Sequence, residues 1–409
     1  MKKNQHNNSA LLLTIFIFWP FLGFLLAIKN FQIKFNKRLI LVFFIIFGLL
    51  FYINPAQDSQ RRADMLKEAY LQPFEMAFAA FETLYDKTLD FVEPILVFIV
   101  SRFSDYHGVL FAVYALIFGS LMIYYIESIY QHYIQFTNKN SLIFLVLLVF
   151  VNPINNINGF RMWTAAWIYA VGVINFINHS KWRYFIFTST AIFVHFSFAP
   201  LVVLLLIYKF AGNRSFIYGM LAIITFFIAE LDIKQLQTYA SYISPATELK
   251  INAYTNEDYI EKVNLFKGQY SWFISLNEKG ILYFTVLFLI LIFIRTRGNF
   301  KTRVMDNFYS FTLLVLSFAN ISALLPSGGR FYIVYNIFVF TLGVIYYIYE
   351  KRKSKLDWIQ AIGLPISFLF VILNFRLFTD PASIYLFGPS FFMPIAFVDN
   401  VSLQSILFK

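Results

Sequence analysis

The sequence predicts an all-α polytopic integral membrane helical bundle of about ten to twelve transmembrane or re-entrant helices, forming one domain over residues 1–409. Three observations carry this. Of 409 residues, 59% are hydrophobic and only 13% charged, whereas a soluble domain carries about a quarter charged residues. The apolar residues fall in runs near the ~20 residues that cross a bilayer. Lysine and arginine gather in the short links between those runs, as expected for cytoplasmic loops. The net charge of +11 is therefore a topology signal, not the footprint of a nucleic-acid partner. The absence of cysteine excludes disulfides and thiolate metal sites.

Along the chain, Lys2 and Lys3 precede an apolar run from about Ala10 to Ile28. Charge and start resemble a signal peptide, but no small-residue cleavage site follows, so the run is read as a retained spanning helix. Lys29, Lys34, Lys37 and Arg38 form a cytoplasmic link, and a second helix covers about Leu39 to Ile53. Residues 54–90 are polar, hold seven acids against four bases, and by alternation lie outside. Within them, Phe74 to Leu89 has helical apolar spacing suited to the membrane surface. Phe91 to Phe103 is too short to span and suits a re-entrant or broken segment. Helices follow at about Gly108 to Ile126, Ser141 to Val151 and Phe160 to Ile177.

Tyr184 to Tyr208 is open between two structures. Basic residues flank both ends: Lys181 and Arg183 before, Lys209 and Arg214 after. If both links are cytoplasmic, the run is two broken halves with His195 and Pro200 near the outer turn; the alternative is one long tilted helix. A helix at about Ser215 to Ala229 leads into a second polar segment, residues 230–280, placed outside. Helices at about Ile281 to Ile294, Phe308 to Leu325, Phe331 to Tyr349 and Trp358 to Phe375 complete the bundle, and the aromatic tail after Asn374 is placed outside, along the interface.

This topology puts Asp58, Arg61, Arg62, Glu93, Arg161, His195 and Arg330 on one face. Ionisable groups at membrane segments are expensive and mark functional sites by default. An arginine fork suits phosphate, and at a helix start it adds to the positive end of the helix dipole. Arg161 and Arg330 at helix starts therefore suit a pyrophosphate at headgroup level. His195 or Glu93 could accept a proton from a sugar hydroxyl. No two of His, Asp and Glu sit at ligand spacing on one helix, so neither metal nor cofactor is expected. No glycine-rich phosphate loop or serine elbow appears. Each residue also has a plainer reading. Arg161 and Arg330 could mark helix ends by snorkelling, Arg61 and Arg62 could be solvated loop charges, His195 could be bonded to a carbonyl, and Glu93 could favour a helix start.

Three stretches occur in a family's order: E-P-I-L-V-F-I-V-S-R-F (Glu93 to Phe103), N-G-F-R-M-W-T-A-A (Asn158 to Ala166) and A-I-F-V-H-F-S (Ala191 to Ser197), with D-x-x-R at Asp58 to Arg61 before them. In these the chain resembles EpsG-type proteins, which are similar to the Wzy O-antigen and exopolysaccharide polymerases. The resemblance covers about Gln57 to Tyr208, with Arg330 at a later helix start. Met162 stands where the family usually has Gln, and Arg62 or Ala63 where a Tyr usually follows the D-x-x-R arginine.

The resemblance implies a glycosyltransferase in the bacterial inner membrane that joins polyprenyl-pyrophosphate-linked repeat units of a surface polysaccharide at the outer face. Arg161, Arg330, Asp58, Arg61 and Arg62 would hold the lipid-linked oligosaccharide; His195, Glu93 and Arg161 would act on it. Partners would be the bilayer and a chain-length regulator and flippase of the same pathway. Two alternatives remain, a transporter or flippase of lipid-linked sugars and a membrane acyltransferase modifying the glycan. Transporters usually show internal repeats and carboxylates at mid-membrane, and this chain shows no repeat.

Overall fold

The computed structural model describes residues 2–55, 57–76, 78–79, 90–133, 139–228, 271–349 and 357–408, with isolated positions between 237 and 265. Most of residues 80–89 and 230–270 lie outside this set, so the proposed surface helix over Phe74 to Leu89 and most of the second large loop are outside the described residues. Among the described residues the chain is helical, with a lone antiparallel bridge between Ser383 and Ser402. Six apolar stretches are long enough to cross a membrane, and five shorter apolar helices of 10–17 residues accompany them. The protein is a multi-pass membrane bundle.

The first apolar run is not one helix. Pro20 cannot donate the hydrogen bond that would continue it, and Trp19 leaves helical geometry. Helix α1 (Lys2–Phe18) and helix α2 (Pro20–Lys29) bend so sharply that a Cβ on Gly23 would lie 2.6 Å from the Phe16 Cα. This corrects the expectation of a single spanning helix over Ala10 to Ile28. Helix α3 (Lys34–Leu49) then packs along helix α6 (His107–Tyr133), with two short polar-end helices between them in sequence, α4 (Asp58–Leu71) and α5 (Val92–Ser101). The ten residues of α5 match the short, non-spanning segment expected from Phe91 to Phe103.

Helix α7 (Lys139–Val151) is stopped by Pro153, whose 3₁₀ turn Ile154–Gly159 leads into helix α8 (Phe160–His179). Every residue of α8 from Thr164 to Ile177 is buried. A helix apolar all round belongs at the centre, and α8 is there with helix α15 (Phe331–Tyr349), buried throughout from Val334 to Tyr347. Tyr169 and Phe338 meet edge to face across the pair, their centroids 6.0 Å apart. Two polar contacts tie the centre together: Tyr125 and Thr341 share a hydrogen bond at 2.8 Å, and Tyr169 donates to the Leu201 carbonyl at 2.8 Å.

Between the central helices in sequence the chain forms a hairpin of short helices. Helix α9 (Trp182–Ser189) and the single turn α10 (Ala191–Val194) run in, and helix α11 (Ala199–Ala211) runs out after a 3₁₀ turn at Phe196–Phe198. His195 is extended, with φ −151° and ψ 112°, and Pro200 opens the return helix. The two feet of the hairpin touch, with Lys209 Nζ 3.3 Å from the Ser180 carbonyl. One long tilted helix is therefore excluded. At 1.5 Å per residue, the thirteen residues of α11 rise roughly 20 Å, short of the ~30 Å hydrocarbon core. Gly172 lets α9 settle on α8, since a Cβ there would fall 1.9 Å from Thr188 Oγ1.

Helix α12 (Ser215–Phe226), helix α13 (Trp272–Thr296), helix α14 (Arg303–Ser322) and helix α16 (Trp358–Thr379) surround the centre. The C-terminal tail first packs back on the bundle and then exposes the aromatic residues Phe391, Phe392 and Phe397. Ala382 and Leu386 are fully buried, Pro381 accepts from Tyr52 N at 2.9 Å, and Phe387 accepts from Trp19 Nε1 at 2.7 Å. A last turn, α17 (Gln404–Leu407), follows.

The bundle has two chemically distinct ends. At one, Lys37 pairs with Glu127, Arg295 with Asp357, Lys301 Nζ bonds the Tyr349 carbonyl at 2.6 Å, and Tyr208 bonds the Asn307 carbonyl at 2.9 Å. The described basic links meet there. At the opposite end lie the starts of α4, α5, α8 and α15 and the apex of the hairpin. Basic links mark the cytoplasmic side, which gives a direct expectation. In this cysteine-free chain, a cysteine placed at exposed Glu68 should react with an impermeant maleimide in intact spheroplasts, and one at exposed Lys181 only after they are opened. The reverse pattern would invert the topology.

Candidate active site

The end opposite the basic links contains a cavity of about 310 Å³, at the low end of ligand-pocket volumes. Its lining includes Asp58, Arg62, Arg161, His195 and Arg330. Five side chains from α4, the start of α8, the hairpin apex and the turn before α15 thus converge across more than 270 positions of sequence. The two central helices place two of the three arginines. Neither the N-cap Gly159 of α8 nor the turn before it caps that helix with a side chain, so its free N–H groups and dipole add positive potential at the cavity.

Arg330 is carried by the turn L-P-S-G-G-R. Ser327 is left-handed at φ 62°, and Gly328 lies so close to α14 that a Cβ would stand 1.6 Å from the Ser322 carbonyl oxygen. Among the described residues Arg330 has no carboxylate partner.

The other two arginines are held by buried carboxylates. Glu93, 5% exposed, receives Arg62 Nε on Oε1 at 2.5 Å and Arg161 Nε on Oε2 at 3.1 Å, while Tyr114 donates to Oε1 at 3.4 Å. Both oxygens are committed, and Glu93 does not line the cavity. Glu93 therefore bridges the two guanidinium groups. Arg62 and Arg61 part company. Arg61 is half exposed, pairs loosely with Asp58 at 3.7 Å, and is outside the lining. Arg62 is 2% exposed, and its Nη1 has no hydrogen-bond partner, the nearest charge being Asp58 at 3.7 Å. Burial disfavours the Arg62 cation, but Glu93, Tyr114 and Asp58 together outweigh it and hold the pKa above the usual arginine value.

Two acidic residues escaped the sequence reading. Asp90, 3% exposed, ties three groups together. Its Oδ2 meets Arg161 Nη1 at 3.1 Å and lies 3.4 Å from His195 Nδ1, and its Oδ1 accepts from Phe196 N at 2.7 Å. The broken helix at His195 frees that N–H, and a buried amide needs a partner; Asp90 supplies it. The same carboxylate stands behind the imidazole, leaving Nε2 as the ring nitrogen available to the cavity. An Asp at a loop end, ~100 residues from its histidine, carries no spacing signal. Asp380 was missed in the same way: it lines the cavity from the tail and accepts from Asn54 Nδ2 at 3.1 Å and Gln57 Nε2 at 2.6 Å. Among the described residues no three His, Asp or Glu side chains meet at metal-ligand geometry.

The class these features define is a multi-pass membrane helical protein with arginines and a carboxylate-backed histidine gathered on one terminal cavity. The model of the EpsG family matches residues 67–387, and the chain belongs to that family, a Wzy-like polymerase family. Glu93, Arg161, His195 and Arg330 fall inside the matched span; Asp58, Arg61 and Arg62 precede it. No curated protein and no solved structure matches the chain.

Proposed function

We propose that this protein is a membrane glycosyltransferase that joins polyprenyl-pyrophosphate-linked glycan repeat units at the outer face of a bacterial inner membrane. Family membership supports the polymerase role, and the observation that carries the finer reading is the convergence of Arg62, Arg161, Arg330 and His195 on one cavity. In this reading the donor pyrophosphate lies against the arginines. Arg161 spends Nε and Nη1 on Glu93 and Asp90, which leaves Nη2 and the partnerless Nη1 of Arg62 for phosphate oxygens. Guanidinium groups held in this way need no reorganisation as the leaving group gathers charge.

His195 Nε2 takes the proton of the acceptor hydroxyl as that oxygen attacks the donor's anomeric carbon. One glycosidic C–O bond forms, the C–O bond to the pyrophosphate breaks, and the polyprenyl pyrophosphate departs. Asp90 stabilises the imidazolium that results. Glu93 positions the arginines and accepts no proton.

The reading is tested by the lengths of lipid-linked glycans with and without the gene. Single repeats should accumulate in its absence, and unchanged chain lengths would overturn it. Within the same assay, Arg161→Lys keeps the charge but cannot bridge Glu93, Asp90 and a phosphate with one planar fork. Chain extension should fall about 100-fold or more at normal protein level, the size of effect seen when a charge-stabilising donor is removed. A Lys variant that polymerises like the parent would reduce Arg161 to a membrane-edge anchor.

A further inference from the structure

The cavity has a second wall of different chemistry. Asn158 Nδ2 donates to Gln57 Oε1 at 2.6 Å, and Gln57 Nε2 donates to Asp380 at 2.6 Å, so a relay of planar polar groups runs from the turn before α8 to the C-terminal tail. Asn155 and Asn158 each keep a buried Oδ1 without a hydrogen-bond partner, and Asn155 is 7% exposed. A buried acceptor left empty costs about 1–3 kcal/mol, so such atoms ask for a donor. Beside them stands Trp163, half-buried in the lining; its indole rests on Gly159, where a Cβ would come within 2.6 Å of Nε1.

Neutral amide acceptors next to an aromatic face suit a sugar, whose hydroxyl or acetamido groups donate hydrogen bonds and whose C–H face packs on a ring. They do not suit phosphate, which brings only acceptors at its charged oxygens. We infer that this wall is a glycan subsite, with Asn155 and Asn158 receiving hydrogen bonds from the sugar attached to the donor pyrophosphate and Trp163 as its platform. The inference rests on the donor reading above. It divides the cavity by chemistry: the arginine wall takes the pyrophosphate, and the amide wall recognises which glycan it carries. Donor selectivity would then reside in the N-P-I-N-N-I-N-G turn, apart from the residues that move the proton.

The experiment compares two lipids on purified full-length protein in nanodiscs: undecaprenyl pyrophosphate without sugar, and the lipid-linked single repeat isolated from source cells lacking the gene. The parent should bind the sugar-bearing lipid about tenfold or more tightly, the scale of one or two well-made hydrogen bonds. Asn155→Leu and Trp163→Ala should erase that preference while leaving the sugar-free lipid bound within about twofold, and Trp163→Phe, which keeps an aromatic face, should retain most of it. The thermal midpoint of each variant, measured on the same samples, separates misfolding from lost recognition. Equal binding of the two lipids by the parent overturns the subsite while the donor reading stands. So does a preference that survives both substitutions, or a parallel loss of both lipids in well-folded variants. A parent that binds neither lipid overturns the donor reading as well.

Discussion

His195→Gln should cost about 100- to 10,000-fold in polymerisation rate, the contribution typical of general base catalysis, while the variant still folds and still binds donor. Gln retains a hydrogen-bonding side chain in the space of the imidazole but cannot take up a proton at the strength the step needs. The local structure makes this a clean test. His195 is already outside helical geometry, its backbone N–H is bonded to the Ala191 carbonyl at 2.8 Å, and its Nδ1 makes no hydrogen bond that folding would lose. Asp90→Asn should give a smaller but clear loss, because it removes the charge behind Nδ1 and weakens the hold on Arg161 at 3.1 Å. The measurement is chain extension by purified protein at saturating donor for parent and both variants. A Gln variant within a few-fold of the parent would remove His195 as the base.

The second large effect is on the fold. Glu93→Ala should destabilise the protein by about 3–5 kcal/mol, the range for breaking a buried ion pair by removing one partner. Arg62 would keep its charge inside the protein, with Asp58 at 3.7 Å as its nearest remaining carboxylate. Arg161 would retain Asp90 and remain partly exposed, so the penalty falls mainly on Arg62. Replacing Arg62 and Glu93 together by Met removes both charges and should be better tolerated than Glu93→Ala alone, although the double change deletes more polar contacts. Thermal unfolding in detergent, with membrane protein level beside it, reads both. If the double variant is at least as unstable as the single one, packing rather than a stranded charge governs this position.

Much of the architecture was legible along the chain because the bilayer imposes a one-dimensional rule. A spanning segment must satisfy its backbone internally and present apolar side chains over a fixed length, so runs such as Phe160 to Ile177 and Phe331 to Tyr349 show themselves without any knowledge of their neighbours. The same rule exposed Arg161, Arg330 and His195, since an ionisable group at hydrocarbon stands out against composition. The order of Glu93, N-G-F-R and V-H-F-S carried the resemblance that the family match extends over residues 67–387. Where the sequence misled, the cause was local: Pro20 divides a run that hydrophobicity alone reads as continuous. Hydropathy is also silent on how the tail is anchored, with Phe387 against Phe21 of α2 and Phe378 of α16.

What only the tertiary structure decided is the division of labour among charges. Hydropathy gives Arg61 and Arg62 equal standing, yet one is half exposed and the other is locked against Glu93, because a helical step of 100° turns neighbours to different faces. Glu93 and His195 are equal candidates for the base in the sequence; the packing of α4 and α8 sets guanidinium groups on both oxygens of Glu93, which is why the proposed reaction uses His195. Asp90 and Asp380 had no signature at all, since a carboxylate at a loop end means nothing until the fold sets an imidazole, an arginine or an amide against it. Spacing along the chain can announce which residues are costly to bury; which of them face one another depends on long-range packing, and that is a property of the folded bundle.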